Sequence, residues 1–104
     1  MTDCLFCKIK DKTIPADIIF ENDEFMVFKD LHPKAPVHLL LIPKLHIDSL
    51  DHVDASHSEL LAKMMLLIPK IAKQNHLNGY RTQINTGSNG GQIIFHLHVH
   101  ILGG

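Results

Sequence analysis

The sequence predicts one α+β domain built on a mostly antiparallel sheet. Three observations predict it. Short runs of β-branched and aromatic residues follow one another along the chain, a single wide apolar stripe at helical spacing interrupts them, and no repeat, low-complexity tract or linker divides residues 1–104. A chain of this length buries roughly two-thirds of the surface it exposes when unfolded, enough for one core without staples.

The elements follow in order. Asp17-Ile18-Ile19-Phe20-Glu21 and the run Glu24 to Lys29 flank the turn-prone pair Asn22-Asp23 and read as a hairpin. Pro33 and Pro36 punctuate the way to Val37-His38-Leu39-Leu40-Leu41-Ile42, an apolar run that Pro43 stops and that reads as an interior strand. Ser56 with Glu59 makes a capping-box pattern ahead of apolar residues at 60, 61, 64, 65, 67, 68, 71 and 72, one face of a long helix. Pro69 inside that stripe removes one backbone hydrogen bond and predicts a kink or break near Leu66. Asn78-Gly79 supplies the stop. Tyr80 to Asn85 and Ile94 to Leu102 read as the last two strands, joined by the glycine-rich loop Thr86-Gly87-Ser88-Asn89-Gly90-Gly91-Gln92.

Lys and Arg total 10 and Asp and Glu 11, so there is no positive field to gather a polyanion, which argues against nucleic acid or an anionic membrane as partner. Met1-Thr2-Asp3-Cys4 carries no basic leader, and no apolar run approaches the roughly eighteen residues of a membrane span. The expectation is a soluble cytoplasmic protein. In a reducing compartment Cys4 and Cys7 are thiols or metal ligands rather than a disulfide. The compositional anomaly is histidine, nine residues against one Tyr and no Trp.

The strongest chemical signal is His96-Leu97-His98-Val99-His100. On a strand the side chains alternate, so three imidazoles line one face while Leu97, Val99 and Ile101 pack beneath. His96 and His100 then stand about 13 Å apart along the strand, too far for all three rings to meet one tetrahedral metal, and at most two can share an ion. A row of plain core histidines would leave several polar rings without partners, which is costly. Immediately upstream, Gly90 and Gly91 lack the Cβ that would keep an anion from the loop backbone. Beside three imidazoles, that is a phosphate-shaped environment.

His96 to Leu102 resembles the His-φ-His-φ-His-φ-φ signature of the histidine-triad proteins, and Asn85-Thr86-Gly87 with Gly91-Gln92 resembles the Hint branch of that family. The likeness extends along the chain through Leu5-Phe6, Ile14-Pro15-Ala16, Phe28-Lys29-Asp30, Ala35-Pro36-Val37-His38, Ile42-Pro43-Lys44-Leu45-His46-Ile47, Gly79-Tyr80-Arg81 and Leu102-Gly103-Gly104. The resemblance implies a five-stranded antiparallel sheet with one long and one short helix, and a homodimer in which two sheets become continuous. It implies a hydrolase that cleaves nucleoside phosphoramidates or related nucleotidyl substrates at the α-phosphate. His98 matches the nucleophile that is transiently nucleotidylated, His100 a phosphate and leaving-group contact, and His38 and His96 the supporting histidines. Asp30 matches the carboxylate that takes the ribose hydroxyls, with Leu5, Phe6, Ile9, Phe28 and Leu31 as the nucleobase slot. Asn85, Gly91 and Gln92 match phosphate-side contacts. The implied ligand is a purine mononucleotide or nucleoside phosphoramidate, and no cofactor is required for catalysis.

A neutral imidazole, with an ordinary pKa near 6.5, suits this chemistry as a nucleophile, while a neighbouring imidazolium can protonate the departing amine. Two departures from the resembled branch bear on the leaving group. Ile93 stands where that branch has Ser, removing a hydroxyl from the phosphate side, and the chain ends at Gly104 without a short C-terminal tail. Cys4-Leu5-Phe6-Cys7 is either half a zinc site or two unligated thiols, one packed in the core. In several bacterial relatives such a site is completed by residues that match His46 and His96. His32, His52, His57 and His76 fall in polar contexts and read as solvated. A low-turnover nucleotide-binding or adaptor module, a dinucleoside polyphosphate hydrolase and a zinc-dependent structural protein are the competing readings.

Overall fold

The computed structural model describes residues 4–104, so the reading of Met1 to Asp3 as lacking a basic leader lies outside the described residues. The chain folds into helix α1 (Leu5–Lys10), strands β1 (Ile18–Glu21), β2 (Phe25–Lys29) and β3 (Val37–Pro43), helix α2 (Ser58–Gln74), and strands β4 (Tyr80–Gln83) and β5 (Val99–Gly103). The strands form one five-stranded sheet in the order β1-β2-β3-β5-β4, antiparallel throughout. No described helix is long and apolar enough to cross a membrane.

Alternation along the two central strands divides the molecule into layers. Leu39 and Leu41 of β3, Val99 and Ile101 of β5, and Phe25 and Val27 of β2 face α2, whose Met64, Leu67, Ile68 and Ile71 complete the main core. Each such side chain contributes about 1.5–3 kcal/mol when fully buried. The opposite face presents Met26, Phe28, Leu40 and Ile42 to Phe6 and Ile9 of α1. β3 and β5 pair with Leu40 opposite His100 and His38 opposite Leu102. His38 and His100 therefore rise on the α1 face.

The β1–β2 hairpin turns at Asn22, whose Oδ1 accepts the N–H groups of Glu24 and Phe25. β3 lies between β2 and β5, an interior strand as its apolar run predicts. Three local expectations are corrected. The helix cap is not Ser56: Asp54 Oδ1 accepts the Ser56 N–H, and His57 Nδ1 accepts the Asp54 N–H, closing a box around the turn Ala55–His57 that leads into α2. Pro69 does not break α2, because Pro69 and Met65, whose carbonyl loses its helical partner, both lie on the exposed side. The last strand begins at Val99 rather than Ile94. Its ladder with β3 stops where Pro43 would have to donate, and the Leu97 N–H goes instead to the Ile47 carbonyl at 2.7 Å.

Candidate functional site

The stretch 94–98, released from the ladder, holds the first two triad histidines. The tautomers of His96, His98 and His38 follow from a backbone partner of fixed sense, since a carbonyl only accepts and an N–H only donates, and that of His100 follows from His38. His96 is 0 % exposed, and its Nε2 lies 2.7 Å from the Pro43 carbonyl. Its proton therefore sits on Nε2, and Nδ1 keeps a lone pair. His98 Nδ1 lies 2.6 Å from the His96 carbonyl, so it carries the proton and the lone pair is on Nε2. His38 Nδ1 accepts the Lys34 N–H at 3.0 Å, which leaves the His38 proton on Nε2. That Nε2–H points at His100 Nδ1, 2.9 Å away, so His100 carries its own proton on Nε2.

The structure thus splits the triad. His98 and His100 stack edge to face at 5.0 Å between ring centres, His38 adjoins His100 at 5.2 Å, and Phe6 meets the His98 ring at 5.0 Å. Asp30 joins this group with Oδ2 at 3.4 Å from His38 Nε2, while its Oδ1 accepts the His32 N–H. His96 turns the other way, to His46 and the two thiols. Burial lowers the pKa of His98 below its usual value, and burial with the nearby His98 and His38 rings lowers that of His100 to about 4. Burial also lowers His96 to about 4. His100 therefore favours the neutral ring in the free protein and offers an Nε2–H.

Of the residues assigned to the base slot, Phe6, Ile9 and Phe28 are buried together, with Phe6 edge-on to Phe28 at 5.4 Å. Leu5 is partly exposed and Leu31 is 78 % exposed, so neither belongs to that packed floor. In the loop, Gly87 and Gly91 have φ of 74° and 87°, and a Cβ on Gly91 would meet Asn85 Nδ2 at 3.2 Å. The amides of Gly90, Gly91 and Gln92 donate within the loop, to the carbonyls of Gly87, Ser88 and Gly87. Asn85 Nδ2 donates to the Gly90 carbonyl at 2.8 Å. The loop is a closed turn rather than an open cradle at Gly90 and Gly91. Ile93 is 87 % exposed, so it does not replace the missing hydroxyl by packing.

Cys4, Cys7, His46 and His96 bring one ligand atom each within 4.8 Å of one another. Cys7 Sγ lies 3.2 Å from His46 Nδ1, and Cys4 Sγ lies 3.4 Å from His96 Nδ1. His46 Nε2 lies 2.7 Å from Asp48 Oδ1, an acceptor that holds a proton on Nε2, so Nδ1 is the nitrogen His46 turns to the thiols. Two lone pairs facing two thiols is the donor set of a tetrahedral Cys2His2 zinc centre, with Pro43 and Asp48 orienting the rings. Burial and the neighbouring Cys4 raise the Cys7 thiol to about 11, the state a dication would reverse. Sequence reasoning missed Asp48 and the Pro43 carbonyl, although His46-Ile47-Asp48 carried the signal. Among the histidines read as solvated, His52 bonds Ser49 Oγ and His57 closes the capping box of the turn Ala55–His57, both structural tasks.

A buried histidine with a free ring nitrogen, backed by two more histidines and an aspartate, thus stands on one face of a five-stranded antiparallel sheet in a small α+β domain. The family model described as "Scavenger mRNA decapping enzyme C-term binding" matches residues 3–104. Protein HitA of Neisseria gonorrhoeae is 56 % identical over 99 % of this chain and 97 % of its own length. The purine nucleoside phosphoramidase of Escherichia coli K12 is 39 % identical over 98 % of this chain and 87 % of its own. Among solved structures, a HIT family hydrolase from Legionella pneumophila superposes with a TM-score of 0.95 at 45 % identity, covering 98 % of this chain and 93 % of that one. A Zn-bound histidine triad family protein from Mycobacterium smegmatis gives 0.83 at 30 %, covering 98 % and 75 %. The chain belongs to the histidine-triad family, and hydrolases are among its relatives.

Proposed function

We propose that this chain hydrolyses nucleoside phosphoramidates or related nucleotidyl substrates at the α-phosphate through a nucleotidyl-His98 intermediate. The observation that carries this reading is the order of the rings. The His98 Nδ1–H is held by the His96 carbonyl, so Nε2 presents a lone pair, and the adjacent His100 presents an Nε2–H backed by His38. His98 Nε2 attacks phosphorus, the bond from phosphorus to the leaving nitrogen breaks, and the amine departs with a proton delivered by way of His100. Water then attacks the same phosphorus and gives its proton to His100, and the bond from phosphorus to His98 Nε2 breaks, releasing the mononucleotide and restoring the His98 lone pair. Two moderate displacements replace one difficult step.

The neutral state of His100 in the free protein fits this sequence. A phosphoryl anion placed beside it favours the charged ring, so the proton needed by the leaving group is taken up as substrate binds. Phe6, Ile9 and Phe28 offer an apolar surface for a base, and Asp30 an acceptor for ribose hydroxyls. The E. coli relative supports a purine nucleotide as the ligand. Zinc held by Cys4, Cys7, His46 and His96 would tie α1 to the segment before β5 and would be structural, since none of its ligand atoms is the attacking nitrogen. The working unit in this reading is a homodimer.

The experiment is turnover of a fluorogenic adenosine phosphoramidate, with acid quench and mass analysis of the protein. Wild type should carry a nucleotidyl adduct, and His98→Ala should lose turnover at least a thousandfold while holding mononucleotide within about tenfold. Wild-type turnover by His98→Ala, or no adduct on quenched wild type, would overturn the covalent route.

A further inference from the structure

Gln92 stands out by how completely its side chain is engaged. It is 5 % exposed. Its Nε2 donates to the Asp48 carbonyl at 2.7 Å and to the Ile94 carbonyl at 3.1 Å, and its Oε1 accepts the Gly87 N–H at 2.9 Å. Both amide protons and one oxygen lone pair are thus committed, and nothing on the nitrogen is left to donate to a phosphate. The three partners belong to three separate parts of the site: the head of the glycine loop, the connection leading to His96, and the segment after β3 that carries His46.

Rather than a phosphate ligand, we propose that Gln92 is a positioning residue that clamps the glycine loop and the 92–95 connection onto the segment 46–48, setting the wall from which a phosphate approaches His98. The proposal rests on the function proposed above. The loop has little else to hold it. Its glycines carry no side chains to pack, and Ile93 projects into solvent. The turn at Ser88–Gly90 is a single short one, closed by its own backbone bonds. Without the clamp, Gly87 loses its side-chain partner, and the loop's remaining hydrogen bonds among the described residues run within it and to Asn85. A buried amide that bonds its own connection and two other backbone stretches converts a flexible glycine run into a fixed surface, which is how a group that never touches substrate sets a reacting geometry.

The test compares adenosine with adenosine monophosphate by calorimetry on wild type, Gln92→Met, which keeps the volume and removes every bond, and Gln92→Glu, which keeps the acceptor for Gly87 and removes both donors. The monophosphate should bind each variant at least tenfold more weakly, with adenosine within twofold of wild type. kcat/KM on the phosphoramidate should fall with the monophosphate affinity. Equal weakening of both ligands would assign Gln92 a general structural role, and unchanged monophosphate binding would remove it from the site, so either result overturns the proposal. Wild type that binds no monophosphate would instead defeat the proposed function. Should neither variant fold, hydrogen exchange on wild type decides: the Gly87 amide should exchange at least a hundredfold slower than an open loop, and exchange at the open-loop rate overturns the clamp.

Discussion

An imidazole has two nitrogens and, when neutral, one proton, so whatever engages the first nitrogen decides what the second can do. His98 and His100 differ in this respect. A carbonyl accepts the Nδ1–H of His98 and leaves its Nε2 a base, while the His38 N–H occupies His100 Nδ1 and makes its Nε2 a donor. Burial, with the neighbouring His98 and His38 rings, opposes charge and lowers the folded His100 to about 4, where an unfolded one stands near 6.5. A folded ring that refuses a proton contributes stability above about pH 6.5, and that contribution is lost as pH falls from there toward 4. The urea midpoint should therefore drop between pH 7 and 4.5, and His100→Gln should show a shallower drop across the same range. Equal drops in the two proteins would mean that His100 is not held neutral by the fold.

At the scale of elements, the sequence made period and type legible and left ends illegible. Alternation placed Leu97, Val99 and Ile101 beneath the histidines, and all three are buried in the main core. What alternation alone did not carry is that Pro43, on the neighbouring strand, cannot donate to Leu97, so the ladder ends and His96 swings to the cysteines. The Ser56-to-Glu59 spacing likewise competed with Asp54-to-His57, and a histidine closing a capping box has no usual signature. Proximity across 89 to 92 positions, as for His96 with Cys7 and Cys4, leaves no periodic trace and came from family likeness alone.

Helix α1 has only six residues, too few to persist by itself, yet it brings Phe6 to the His98 ring and both thiols to the imidazoles. Burial of Phe6 and Ile9 holds one side of it, and a metal on Cys4 and Cys7 would hold the other. Protein purified without chelator should contain one zinc per chain, and Cys4→Ser should lose most of it, with a lower melting temperature. Because both thiols must release protons, zinc affinity should rise with pH. Equal zinc in the two proteins by elemental analysis would move the metal elsewhere.

For the whole molecule, the sheet buries both faces but leaves its β4 edge bare: all four residues Tyr80–Gln83 are exposed, and β5 is their only strand partner among the described residues. An unprotected edge invites a second strand. Met65 and Leu66 of α2 are exposed as well, Leu66 at 68 %, although both belong to the apolar content of the helix. The segment 75–79 joins that helix directly to β4. A twofold axis beside β4 would make each edge the partner of its copy, extending five strands to ten and covering apolar helix surface in the same contact. Sedimentation equilibrium at micromolar concentration should give about twice the 11.7 kDa chain mass. Leu66→Asp, which places a charge on the covered helix face without entering the main core, should shift the equilibrium toward monomer while keeping the far-ultraviolet spectrum. A wild-type monomer at that concentration would refute pairing through this edge. A dimer indifferent to Leu66→Asp would place the axis away from α2.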